Sequence, residues 1–134
     1  MTDLARGERE RIPGRIKSET IKVRISKQSV YITCDIYRDG RLAQVFITVS
    51  KRGTIENAYM DAFAMMLSAA LSYGLPLEWL ERFVGTRSEP NGVVEGHDRI
   101  KMCSSLHDYI ARHLLITYAG RDDLASVSAP PPAV

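Results

Sequence analysis

Two cysteines in 134 residues, Cys34 and Cys103, are too few for a disulfide framework. The three histidines do not make a metal centre. His107 and His113 are six positions apart, about 240° around a helix, and so share no face. Cys103 near His107 offers two ligand types without a second pair, which is a weak zinc signal. No metal and no cofactor is expected. No run of 18 apolar residues free of charge occurs, so no membrane span is expected. The charged N-terminus lacks the apolar core of a secretory leader, and a reducing cytoplasm is the natural setting. Lys+Arg 18 against Asp+Glu 16 gives no strong signature for nucleic acid or membrane. Neither a G-x-S-x-G elbow nor a G-x-x-x-x-G-K-[ST] phosphate loop is present.

What is present reads as one small domain, residues 20–119, between a basic arm at 1–19 and a Pro/Ala-rich tail at 120–134. The arm carries Arg6, Arg9, Arg11, Arg15 and Lys17, diluted by Glu8, Glu10 and Glu19. It is either a solvated, mobile terminus or a phosphate-contacting one. The tail, with Pro130, Pro131 and Pro132, reads as disordered or polyproline-like.

Apolar residues alternate at Ile21, Val23 and Ile25, at Val30, Ile32, Cys34 and Ile36, and at Ala43, Val45, Ile47 and Val49. That is the period of half-buried strands, and Arg38-Asp39-Gly40 supplies a turn. With no crossover helix between them, these strands form an antiparallel meander. A long helix follows Gly53, from about Ile55 to Tyr73, with Thr54 as N-cap and Gly74 suited to a left-handed C-terminal cap. A second helix spans Leu77 to Val84 and stops at Gly85; a third spans Leu106 to Tyr118, with Ser105 and Asp108 as a capping box. The fold class is therefore α+β: three or four antiparallel strands covered by one long and two shorter helices.

On the long helix Asn57, Asp61, Ser68 and Ser72 fall within a sector about 60° wide. The rest of the circumference is almost wholly apolar, wider than the stripe one sheet can cover. Either the other helices or another subunit buries the remainder, and a homo-oligomer is the expected state.

The run from Gly53 to Arg112 holds Met60-Asp61-x-Phe63-Ala64, then Tyr73-Gly74-x-Pro76-Leu77, then Thr86-Arg87-x-Glu89-Pro90-x-Gly92, and last Asp108-Tyr109-Ile110-x-Arg112. In this order and spacing it resembles the TSCPD domain near the C-terminus of adenosylcobalamin-dependent (class II) ribonucleotide reductases. Upstream, Asp39-Gly40-Arg41, Val45-Phe46-Ile47 and Ser50-Lys51 extend the resemblance over roughly residues 20 to 118. The resemblance implies a domain appended to the reductase, outside its radical chemistry. A chain of this length cannot hold the reductase's large barrel. The paired C-x-x-C cysteines that can follow in such reductases do not follow here.

The polar loop Gly85 to Gly92 is the principal candidate site. Arg87 offers a planar, permanently charged fork for phosphate or carboxylate. Thr86 and Ser88 add hydroxyls and Asn91 an amide, while His97 and Lys101 follow closely enough to line the same rim. The alternative for Arg87 is a salt bridge to Asp61 or Asp108 that locks the helices. Tyr31, Tyr37 and Phe46 form a second candidate on the outer sheet face, as stacking surfaces or as interface packing. Cys34 and Cys103 read as packed thiols rather than nucleophiles.

Three functional classes follow. The first is a non-catalytic, nucleotide-associated binding module that assists or regulates a reductase partner, or that sequesters a small nucleotide signal as a viral accessory protein would. The second is an oligomerisation or protein-interaction module with no small-molecule ligand. The third, a nucleotide hydrolase using His97 and Asp98, lacks a complete nucleophile, base and metal set.

Overall fold

A computed structural model describes residues 7–49 and 54–127. Arg6 of the basic arm, Ser50, Lys51 and Gly53 after the meander, and Pro130, Pro131 and Pro132 of the tail lie outside the described residues. The strands are β1 (Lys17–Ile25), β2 (Gln28–Ile36), β3 (Leu42–Val49), β4 (Gly92–Glu95) and β5 (Met102–Cys103). The helices are α1 (Ile55–Ser72) and α2 (Leu106–Ala119), with 3-10 turns at Leu77–Phe83 and Asp122–Leu124. The strand order is β3-β2-β1-β4-β5, and the resolved pairings are antiparallel.

The fold class is the expected α+β, with five strands where three or four were expected. β4 and β5 are four and two residues long, too short to show a period in sequence. The helix expected at Leu77 is a 3-10 helix, and Gly85 ends it with φ +84°. The β1–β2 hairpin turns on Ser26 and Lys27 at φ 49° and 69°, the left-handed pair of a two-residue hairpin loop, without the usual Gly or Asn.

The described residues gather into two compact units, one within 1–22 and 30–77 and the other within 23–29 and 78–134. In the first, β2 and β3 pair in register with Val30 opposite Val49, Ile32 opposite Ile47 and Cys34 opposite Val45. These side chains are buried, as their alternation predicts. Helix α1 packs along β3. Thr54 caps it, its hydroxyl accepting from the Asn57 N–H at 3.3 Å. Met60, Ala64 and Leu67 face inward.

Two of the four residues in the polar sector of α1, Asn57 and Ser68, bond the β3 backbone. Asn57 Oδ1 accepts from the Val49 N–H at 3.0 Å. Ser68 Oγ accepts from the Val45 N–H at 2.9 Å and donates to the Val45 carbonyl at 3.0 Å. β3 ends the sheet order, so these side chains occupy hydrogen-bonding positions that would otherwise invite another strand. Opposite, Ile55, Tyr59 and Met66 are each 70–71% exposed, and Met65, beside the polar sector, is 72% exposed.

In the second unit α2 is buried over most of its circumference and forms the core with Val23, Ile25, Leu80, Val94 and Ile100. Gly120, at φ +66°, ends it. Two segments expected in the flanking arm and tail are tied down. Glu10 donates its N–H to the Ser72 carbonyl at 2.7 Å, and Ser126 donates its N–H to the Arg99 carbonyl at 2.8 Å.

Candidate functional site

The loop after Gly85 is held by a buried carboxylate. Asp108 sits in the first turn of α2, where its own N–H donates to Ser105 Oγ at 2.9 Å. Its side chain reaches out of the helix. Oδ1 accepts from the Gly85 N–H at 2.8 Å, and Oδ2 accepts from the Ser104 N–H at 3.1 Å and from Arg112 Nη1 at 3.2 Å. The loop's own polar groups close the same latch. Thr86 Oγ lies 2.8 Å from Ser105 Oγ and donates to the Phe83 carbonyl at 2.7 Å. Ser104 Oγ donates to the Thr86 carbonyl, and the Ser88 N–H donates to the Ser104 carbonyl. Asn91 Nδ2 donates to the Ser88 carbonyl at 3.1 Å.

Arg87 is exposed, and among the described residues it makes no ion pair. The arginine that clamps Asp108 is Arg112, four positions along the same helix. Arg112 also donates to the carbonyls of Met102 and Leu124, at 2.7 and 2.9 Å, and to Ser126 Oγ at 3.2 Å. The i, i+4 spacing of Asp108 and Arg112 was the sequence signal for this pair.

His97 and Lys101 stand in a second network, which meets the first at Ser126 Oγ, where the Lys101 N–H donates at 3.1 Å beside Arg112 Nη2. His97 is buried, and its Nδ1 accepts the N–H groups of Arg99 and Ile100, both at 3.0 Å. Two donors on Nδ1 place the ring proton on Nε2, which donates to His113 Nδ1 at 3.0 Å. With Nδ1 unprotonated, the 3.7 Å approach of the Asp98 carboxylate is not an ion pair. Burial lowers both imidazoles from their ordinary value, His113 to about 4. Lys101 Nζ donates to the His97 carbonyl at 2.6 Å. Burial likewise pushes the Cys103 thiol up to about 11. Among the described residues, no group of three or more His, Cys, Asp and Glu is placed to hold a metal.

The structure therefore joins Thr86, Ser88 and Asn91 in one latch, leaves Arg87 at its surface, and puts His97 and Lys101 in the adjoining network that meets the clamp at Ser126. Hydrogen-bonding capacity spent on the fold is not available to a ligand.

A cationic groove forms in the first unit. It encloses about 440 Å³ between the end of the arm and the β2–β3 turn, lined by Pro13, Arg15, Ile16, Lys17, Ile36, Tyr37, Arg38 and Gly40. The turn is closed by the Tyr37 N–H donating to the Arg41 carbonyl and the Gly40 N–H donating to the Tyr37 carbonyl, both at 2.9 Å, and Gly40 takes φ +90°. Arg41 forks onto both oxygens of Glu10 at 2.8 Å and reaches Asp39 at 2.7 Å. Its guanidinium lies 4.7 Å from the centre of the Tyr37 ring. Arg41 is thus neutralised and structural, and the arginine beside it holds Glu10 below the usual carboxylate range. Arg15 and Arg38 form no ion pair among the described residues, and Lys17 has only an exposed 3.7 Å contact to Glu19. The buried Tyr37 hydroxyl has no hydrogen-bond partner among the described residues, and burial raises its pKa. Of the three aromatics expected together, Tyr31 and Phe46 are on the exposed sheet face, with Lys22 over Tyr31, while Tyr37 is in this groove.

A second groove of about 520 Å³ runs between α1 and β3, past Arg9, Gln44, Asp61 and Met65. Among the described residues no helix is long and apolar enough to cross a membrane.

The TSCPD domain family matches residues 5–118. The chain is similar to a vitamin B12-dependent ribonucleotide reductase of Agrobacterium fabrum, 41% identical over 121 residues, covering 90% of this chain and 10% of that protein. A vitamin B12-dependent ribonucleotide reductase of Rhodopirellula baltica is 40% identical, over 86% of this chain and 11% of its own length. One from Streptantibioticus cattleyicolor is 34% identical, over 82% of this chain and 18% of its own length. The chain thus spans about a tenth of the length of the first two relatives. No solved structure matches it.

Proposed function

This chain belongs to the TSCPD domain family, and from that premise we propose that it is a non-catalytic module that binds a nucleotide or similar phosphate-bearing molecule in association with a class II ribonucleotide reductase. The observation that carries the reading is the groove in which Arg15, Lys17 and Arg38 line one wall system with Tyr37. Two guanidinium forks and an ammonium suit the oxygens of a diphosphate. The Tyr37 ring and the prolyl and isoleucyl side chains give a base or sugar an apolar wall. The relatives are named for acting on ribonucleotides, so a phosphate-bearing ligand fits the neighbourhood in which this domain occurs. The Gly85–Gly92 loop is the weaker site because the Thr86 hydroxyl and the Asn91 amide are already hydrogen-bonded to Phe83, Ser105 and Ser88.

Calorimetric titration with ADP, dATP and pyrophosphate tests the proposal. Replacing one arginine that makes charge-assisted bonds to phosphate costs about 1.5–3 kcal/mol, roughly tenfold or more in Kd. Arg38→Ala is expected to weaken binding by that factor and Arg87→Ala to leave it unchanged. Loss on Arg87→Ala with none on Arg38→Ala would return the site to the loop. Repeating the titration with a class II reductase present separates a regulatory partner from a module that merely holds the nucleotide.

A further inference from the structure

We propose that two copies of this chain pair through the outer face of α1, as an antiparallel two-fold helix pair centred on Ala64. Ile55, Tyr59, Ala62, Met66, Ala69 and Tyr73 follow one another at spacings of 4, 3, 4, 3 and 4 residues. That is the seam of a heptad pattern, and it falls within a sector about 80° wide. It faces away from the inward residues Met60, Ala64 and Leu67. Ile55, Tyr59 and Met66 are among the most exposed large apolar side chains of the described residues, and Tyr73 is half exposed. A helix seam of this composition needs a cover.

The seam's own order of sizes selects the second copy and its direction. In an antiparallel pair centred on Ala64, Tyr59 faces the partner's Ala69, Ala62 faces the partner's Met66, and Ile55 faces the partner's Tyr73. In the four central layers a large side chain meets a small one, which lets them interdigitate. A parallel pair would stack Tyr59 on Tyr59 and Ala62 on Ala62, alternating crowded layers with voids. The antiparallel pair also keeps the two Glu56 carboxylates, beside the seam, roughly 24 Å apart at 1.5 Å rise per residue. Together with Met65 and Ala58, the two faces cover on the order of 1,200 Å², the lower bound of a standard stable interface. The small alanines permit the close approach of axes that such a pair needs.

Sedimentation equilibrium of the intact chain from about 1 to 100 μM tests this, alongside cross-linking. A dimer is expected. Met66→Lys, an exposed site on the monomer, is expected to shift it to monomer while far-ultraviolet circular dichroism and the unfolding transition stay as in wild type. Under oxidation, a mixture of Ala62→Cys chains and Met66→Cys chains is expected to cross-link as a dimer and Ala62→Cys alone is not, because in the antiparallel pair position 62 faces the partner's position 66 and not its own counterpart. A wild-type monomer throughout overturns the proposal, including one that joins a class II reductase only through this face. A dimer indifferent to Met66→Lys, or one cross-linked by Ala62→Cys alone, overturns the seam or its direction.

Discussion

Ser68 holds both backbone groups of Val45, accepting its N–H at 2.9 Å and donating to its carbonyl at 3.0 Å. Eleven residues earlier on the same helix face, Asn57 accepts the Val49 N–H. A helix is laid along a strand edge and takes the place of the next strand.

Replacing Ser68 with Ala leaves two groups of Val45 without their partner, at about 1–2 kcal/mol. Asn57→Ala is expected to cost a similar amount, and the double variant to approach the sum, since the sites lie far apart along the helix. Urea unfolding measures this. The double variant is also expected to aggregate more readily on partial unfolding, because the β3 edge is uncovered.

Asp108→Ala removes the acceptor for the Gly85 and Ser104 N–H groups and strands Arg112. It is expected to destabilise by about 3 kcal/mol or more, the scale for breaking a buried charge pair. Arg87→Ala, at an exposed site, is expected to fall within about 0.5 kcal/mol of wild type. Equal losses in chemical denaturation would contradict the assignment of the clamp to Arg112.

The strands were legible because their alternation runs long enough to show, and α1 because Thr54 and Gly74 mark its ends. The polar sector of α1 was legible as a sector. Its role was not, because a serine bonded to a strand edge looks in sequence like a serine in water. β4 and β5 carry too few residues for a period, and Ser26-Lys27 turns without Gly or Asn. The site was less legible than the fold. Residue types at 86 and 91 reveal donors and acceptors, but not that the fold uses them. Arg15, Lys17 and Arg38 come together only when the arm meets the β2–β3 turn.

The His97–His113 pair predicts a pH dependence. His113 has a folded value of about 4 against an ordinary 6.5. Between those values the unfolded chain binds a proton that the folded one refuses, so stability is full above pH 6.5 and falls as pH drops towards 4. The loss from this group is at most about 3 kcal/mol. His97, shifted in the same direction, adds to it. Urea midpoints at pH 7.5, 5.5 and 4.5 are expected to fall in that order. His113→Phe is expected to be less stable at neutral pH, where His97 loses its acceptor, and to show a shallower slope.

Amide chemical-shift mapping during a titration with ADP distinguishes the proposed cationic groove from the Gly85–Gly92 loop as the ligand site. The predicted result is saturable change concentrated at Arg15, Lys17, Tyr37, Arg38 and Gly40, weakening as salt is raised. Change centred instead on Thr86, Arg87 and Ser88, or no saturable change anywhere, would contradict it.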